Sequence, residues 1–116
     1  TRKGSWAASD VYKRQILVSA ALRHASANFI DCVLARRGDA DAGAIFVHID
    51  ALDGRHKLLA RSLDFDGNYA WQIITSTEWV DGETAASRLA AETKMDHDAF
   101  IIAISDAKAR NPFDAL

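Results

Sequence analysis

Three pairs of aspartates, each separated by a single residue, are the feature of this sequence most suggestive of a metal site. The pairs are Asp39/Asp41, Asp64/Asp66 and Asp96/Asp98. Paired carboxylates can bind Ca²⁺ or Mg²⁺, but an EF-hand-like loop also needs a glycine sixth and a glutamate twelfth. Counting from Asp39 puts Asp50 at the twelfth position, so the pattern fails. We therefore interpret the aspartates as turn formers and expect no metal site.

The imidazole and thiol side chains do not have the spacing of a zinc site either. These side chains are His24, Cys32, His48, His56 and His97. A two-residue turn at residues 53–54 would place His48 and His56 on opposite faces of a hairpin, whereas a three-residue loop would place them on the same face. We expect structural histidines and a buried thiol, and we identify no catalytic residue and no cofactor site.

The segment 36–44, with the sequence RRGDADAGA, lies between two apolar runs and contains two glycines and two aspartates. This composition predicts a tight reversal, because glycine tolerates positive φ and aspartate can accept a hydrogen bond from its own backbone. Its charged residues are candidates for ordering the loop or for contacting a partner. These candidates are Arg36, Arg37, Asp39 and Asp41, and the aromatic Trp71 joins them as a candidate interface residue.

Hydrophobic periodicity predicts two helices and five strands in the order α-β-β-β-β-α-β. The first helix covers 15–27, and the second begins at the capping residue Asp81. The strands are predicted at 29–35, 45–49, 56–62, 69–75 and 100–104. Turn signals between consecutive strands predict an α+β fold, an antiparallel meander sheet with both helices packed on one face.

The composition is that of one soluble globular domain. The chain has 116 residues, of which 49% are hydrophobic and 26% charged, and its net charge is −2. This balance argues against binding of nucleic acid or of an anionic membrane through bulk charge. Apolar runs are too short to span a membrane, and a single cysteine fits a reducing cytoplasm. We expect a cytoplasmic protein.

The first fifteen residues differ from the rest in being polar and without sustained periodicity. Residues 9–15, SDVYKRQ, resemble a translated sequencing-adapter remnant. We expect 1–15 to be a disordered or non-native tail, followed by a single α+β domain at 16–116.

Three segments carry a family resemblance: VSAALR at 18–23, ARRGDADAGAIFV at 35–47 and LDG at 52–54. With the closing helix and strand, they resemble the small bacterial family known as domain of unknown function 1491, over residues 16–105. The segment 105–110 is less acidic than this resemblance leads us to expect. The resemblance implies a compact cytoplasmic domain and implies no activity, so it assigns no catalytic residue.

Three functional hypotheses remain. The first is a non-enzymatic interaction or accessory module that contacts a protein partner through a sheet edge or an aromatic patch. The second is an enzyme with a polar site near Asp39, Asp41 and His48. The third is a nucleic-acid-associated factor that uses Arg36 and Arg37. The sequence favours the first and leaves the partner and the oligomeric state open.

Overall fold

The computed structural model describes residues 2–39, 43–63 and 65–116, and its order of elements confirms the predicted one. Asp41 and Asp64 lie outside these residues. A short 3₁₀ helix, Pro112–Ala115, follows the last strand. The helices and strands are α1 Arg2–Ala27, β1 Asp31–Arg36, β2 Ile45–Asp50, β3 His56–Leu63, β4 Tyr69–Ile73, α2 Gly82–Met95 and β5 Phe100–Ser105.

The five strands form one mixed sheet in the order β1-β5-β2-β3-β4. The prediction of a purely antiparallel meander is wrong because β5 inserts between β1 and β2, antiparallel to β1 and parallel to β2. An apolar strand such as β5 gains most from a central position, where neighbouring strands cover both its edges. The segment that joins β1 to β2 therefore passes the start of β5 instead of forming a hairpin.

The two faces of the sheet bear different helices. Helix α1 packs on the face that includes Val47 and Ile102, which we call the α1 face. Pairing of Asp50 with His56 puts His56 on the opposite face, the histidine face. Helix α2 begins against His56, since a Cβ added at Gly82 would lie 3.0 Å from His56 Nε2. The prediction that both helices pack on one face is therefore wrong.

Both helices contain the predicted segments. Asp81 caps α2 by accepting a hydrogen bond from the Thr84 backbone N–H at 2.7 Å, as its sequence position predicted. Helix α1 contains the predicted segment 15–27 and extends back to Arg2. That residues 1–15 are a non-native tail stays a prediction. Among the described helices, none is both long and apolar enough to cross a membrane.

Candidate functional site

Both described ends of the glycine-rich segment between β1 and β2 contact the backbone just before β5. A Cβ added at Gly38 or at Gly43 would collide with the backbone carbonyl oxygen of Asp98. The backbone N–H of Asp39 donates to this same oxygen at 2.9 Å. Gly43 also has a φ of 98°, in the region that favours glycine. The two glycines therefore allow a close approach of two backbone segments.

Polar side chains complete this contact. Asp96 accepts two hydrogen bonds, from the Ala44 N–H at 2.8 Å and from the Asp98 N–H at 3.1 Å. Arg36 donates from a terminal guanidinium nitrogen to the His97 carbonyl at 2.6 Å. Of the predicted contact residues, Arg36 thus joins the end of β1 to the loop between α2 and β5. Arg37 and Asp39 are exposed at the same place.

His48 and His56 lie against each other on the histidine face. His48 Nε2 lies 2.9 Å from His56 Nδ1, so the N–H of one ring donates a hydrogen bond to the ring nitrogen of the other. The hairpin closes around Leu52-Asp53-Gly54, with Ala51 N–H donating to Arg55 carbonyl at 3.0 Å. This is the three-residue loop, and it puts both rings on the same face.

Burial is the main reason that the pKa of His48 is lowered from 6.5. The positive charge of a protonated His56 lowers this pKa further, and Asp50 partly opposes the effect. Asp50 Oδ1 lies 3.9 Å from His56 Nε2. The arrangement can hold and share one proton between two rings.

Of the polar site proposed around Asp39, Asp41 and His48, the two described residues, Asp39 and His48, are not brought together, and Asp41 lies outside the described residues. Asp39 contacts Asp98, whereas His48 lies beside Ala103, five residues further along. In extended backbone five residues span about 16 Å. In the described part of the chain, no three His, Cys, Asp or Glu side chains are grouped so as to hold a metal ion.

Trp71, the aromatic candidate for a partner contact, packs on the α1 face of the sheet. Its ring lies 4.7 Å from that of Phe113, and the side chain is half-buried beside the α1 core. Trp79 is likewise engaged, with Arg55 and Lys57 each 4.6 Å from its ring centre. Both indoles therefore already have contacts within the domain, and a partner contact by Trp71 stays a prediction.

An open cleft of about 460 Å³ lies between the end of α1 and the 3₁₀ helix, lined by His24, Asn28 and Lys108 among others. Arg110, at its wall, makes an ion pair with the buried Asp106 at 2.8 Å. Hydrogen bonds from Arg110 are the main cause that lowers the pKa of Asp106 to about 2. The ion pair between Arg110 and Asp106 therefore stabilises this wall of the cleft.

The edge strand β1 exposes apolar side chains in its middle. Val33 is 54% exposed on the histidine face, and Leu34 is 37% exposed on the α1 face. Cys32 is half-buried, and its burial raises the thiol pKa to about 11. The apolar composition of 29–35 predicted a buried strand, so the exposure of Val33 and Leu34 was not expected. Their exposure follows from the edge position, which depends on where β5 inserts.

Comparisons with known proteins place this architecture in a family. A model of DUF1491, a protein family of unknown function, matches residues 12–114. The fold resembles the crystal structure of a DUF1491 family protein from Caulobacter crescentus CB15, with a TM-score of 0.74 and 26% identity over 84% of this chain and 90% of that one. It also resembles protein Atu0922 from A. tumefaciens, with a TM-score of 0.64 and 26% identity over 78% and 81% of the chains. No curated protein matches the chain.

Proposed function

This chain belongs to the DUF1491 family of proteins of unknown function, and we propose that it acts as a non-enzymatic interaction module that binds an extended protein segment along β1. The observation that carries this proposal is the pair of exposed apolar side chains, Val33 and Leu34, in the middle of an edge strand. We further propose that it does so in the cytoplasm, where a single unpaired thiol fits the reducing conditions.

The chemistry of an open strand edge supports this proposal. Every second residue of an edge strand directs its N–H and C=O away from the sheet, where an added strand can bond to them. Successive side chains of such a strand point to opposite faces, so the added segment contacts Val33 on one face and Leu34 on the other. Backbone hydrogen bonds to β1 then provide the affinity for the added segment, and the contacts with Val33 and Leu34 set its register.

The opposite edge strand, β4, is a poorer docking edge. The ring of Tyr69 stacks against the Arg61 guanidinium at 3.6 Å, and Trp71 packs on Phe113. Two of the five β4 side chains thus already have partners within the domain. Ile73, which is 41% exposed, nevertheless provides a matched control for Leu34.

The test is selection of short peptides from a random library on the intact protein, followed by amide hydrogen exchange of the complexes. The proposal expects peptides with alternating apolar residues that protect β1 amides from exchange. Leu34→Lys should weaken their binding about tenfold or more, equivalent to roughly 1.4 kcal/mol, whereas Ile73→Lys should leave binding unchanged. Protection mapped to β4 or to the cleft, or equal losses in both variants, would overturn the proposal.

The two other hypotheses receive no comparable support. The enzyme hypothesis needs Asp39 and His48 together, and they lie far apart. The nucleic-acid hypothesis needs a basic surface, whereas the chain carries a net charge of −2. Nothing among the described residues therefore favours either hypothesis over the edge strand.

A further inference from the structure

We propose that the segment that pairs with β1 belongs to a second copy of this chain, so that two sheets join edge to edge about a two-fold axis. This inference rests on the proposed function and names its partner. The reason is that β1 is complementary to itself when it runs antiparallel to itself with Val33 at the axis. Such an interface is isologous, which is the commonest arrangement in homodimers.

The register follows from the two-fold axis. If Val33 lies opposite the second copy's Val33, Cys32 lies opposite Leu34 in both halves of the interface. An axis perpendicular to the sheet keeps each face continuous, so paired residues must come from the same face. Cys32 and Leu34 both belong to the α1 face, since their partners on β5 are Ile104 and Ile102. This register therefore covers the exposed apolar side chains of both faces.

Charges at the two ends of β1 are complementary in the same register. Asp31 is exposed at the start of the strand, and Arg36 lies at its end after a bulge at Ala35. With Val33 at the axis, Asp31 falls opposite this bulge of the second copy, within reach of its Arg36. One terminal nitrogen of the Arg36 guanidinium donates to the His97 carbonyl, and a guanidinium has five N–H donors in all. Two symmetry-related ion pairs then flank an apolar centre.

The proposed interface is short, since β1 has only six residues. We therefore expect a weak dimer, with a dissociation constant in the micromolar range or higher, as is typical of small interfaces.

Sedimentation velocity from micromolar to near-millimolar concentration tests the inference on the intact protein. The wild type should pass from monomer to dimer as concentration rises. Val33→Lys should raise the dissociation constant about tenfold or more, because two like charges then face each other at the axis. Tyr69→Lys is the matched control, since Tyr69 is 55% exposed on the other edge strand, and it should leave the constant unchanged.

A symmetric disulfide provides the second test, in a Cys32→Ser background. Opposite residues in paired strands have Cβ atoms about 5 Å apart, close to the distance a disulfide requires. Val33→Cys should therefore form a dimer rapidly under mild oxidation. Tyr69→Cys, at nearly the same exposure, should stay largely monomeric. Equal cross-linking of the two variants would contradict the proposed register.

The outcomes separate this inference from the proposed function. A wild type that stays monomeric throughout, while selected peptides still protect β1, overturns the second copy as partner and leaves the strand-binding function standing. Both the dimer and the strand-binding function are overturned by a second result. In it, Tyr69→Lys dissociates the dimer, Val33→Lys does not, and selected peptides do not protect β1. Dissociation by Val33→Lys alone supports both.

Discussion

His48 Nε2 and His56 Nδ1 lie 2.9 Å apart on neighbouring strands, under the start of helix α2. Protonation of both rings would place two positive charges at hydrogen-bond distance. Asp50, whose carboxylate lies 3.9 Å from His56, partly offsets them, and Asp81 at the start of α2 also interacts with the charge of His56. The native state thus favours at least one neutral ring.

The first prediction is that stability rises with pH below about 6.5. The pKa of His48 is lowered in the native state from its unfolded value of 6.5, so the unfolded chain binds more protons in that window. The free energy of unfolding should rise with pH until the unfolded histidine is neutral, with a slope of at most about 1.4 kcal/mol per pH unit. Urea unfolding from pH 5 to pH 8 measures the slope.

The variant His48→Gln separates this effect from other titrations. Glutamine retains a nitrogen donor near the position of Nε2 but takes up no proton in this range. Its stability should depend less on pH than that of the wild type. Identical slopes for the two proteins would show that the histidine pair does not govern the pH dependence.

The second prediction concerns the close approach at Gly43. Gly43 and Gly54 have similar φ values, 98° and 90°, but only a Cβ at Gly43 meets another backbone, that of Asp98. Gly54→Ala should cost about 1–2 kcal/mol for the left-handed conformation alone. Gly43→Ala should cost roughly 1–3 kcal/mol more, because two backbone segments must move apart. Equal urea midpoints for the two variants would show that the contact with Asp98 is not tight.

Much of the fold could be predicted because its signals are local. The element order, the Asp81 cap and the glycines of the β1–β2 segment depend on neighbouring residues. The insertion of β5 between β1 and β2 depends on pairing between residues far apart in sequence, which periodicity does not encode. For the same reason the exposure of Val33 and Leu34 could not be predicted, because a buried and an edge strand share the same apolar composition.

The position of the histidine pair also could not be predicted from local sequence, because it depends on whether the hairpin loop has two or three residues. His48 and His56 lie on one face only because the hairpin loop has three residues, 52–54. The Asp53-Gly54 dipeptide signals a turn, and it does not set whether Leu52 belongs to the loop. Leu52 has a φ of 63°, which is unusual for leucine, and tertiary packing of both strands decides the register.

The third prediction concerns the ion pair that closes the cleft. Asp106 is buried and accepts hydrogen bonds from Arg110 at 2.8 and 3.1 Å, which lowers its pKa to about 2. Asp106→Asn should lower the free energy of unfolding at pH 7 by roughly 1.5–3 kcal/mol.

The pH dependence of this loss has a definite sign. A carboxyl with a lowered native pKa stabilises the fold fully above its unfolded value of 3.8, and the stabilisation disappears as pH falls toward 2. The difference between wild type and Asp106→Asn should therefore shrink between pH 4 and pH 2. The exposed pair Asp53–Arg55 is the control, and Asp53→Asn should change stability much less. A constant difference at every pH would mean that Asp106 acts through packing alone.

The last prediction is that divalent cations do not stabilise the protein. Asp96, beside the glycine-rich segment, already accepts a backbone N–H on each carboxylate oxygen, which is the bonding of a loop-ordering residue. Asp39 bonds through its backbone to Asp98, so it too serves the loop. A cation that binds only the native state would add about 2.7 kcal/mol at a hundredfold excess over its dissociation constant. Thermal unfolding with millimolar Ca²⁺, Mg²⁺ or Mn²⁺ should therefore show no saturable shift. A saturable rise that disappears in the double variant Asp39→Asn/Asp41→Asn would instead identify a metal site there and make the enzyme hypothesis the leading one.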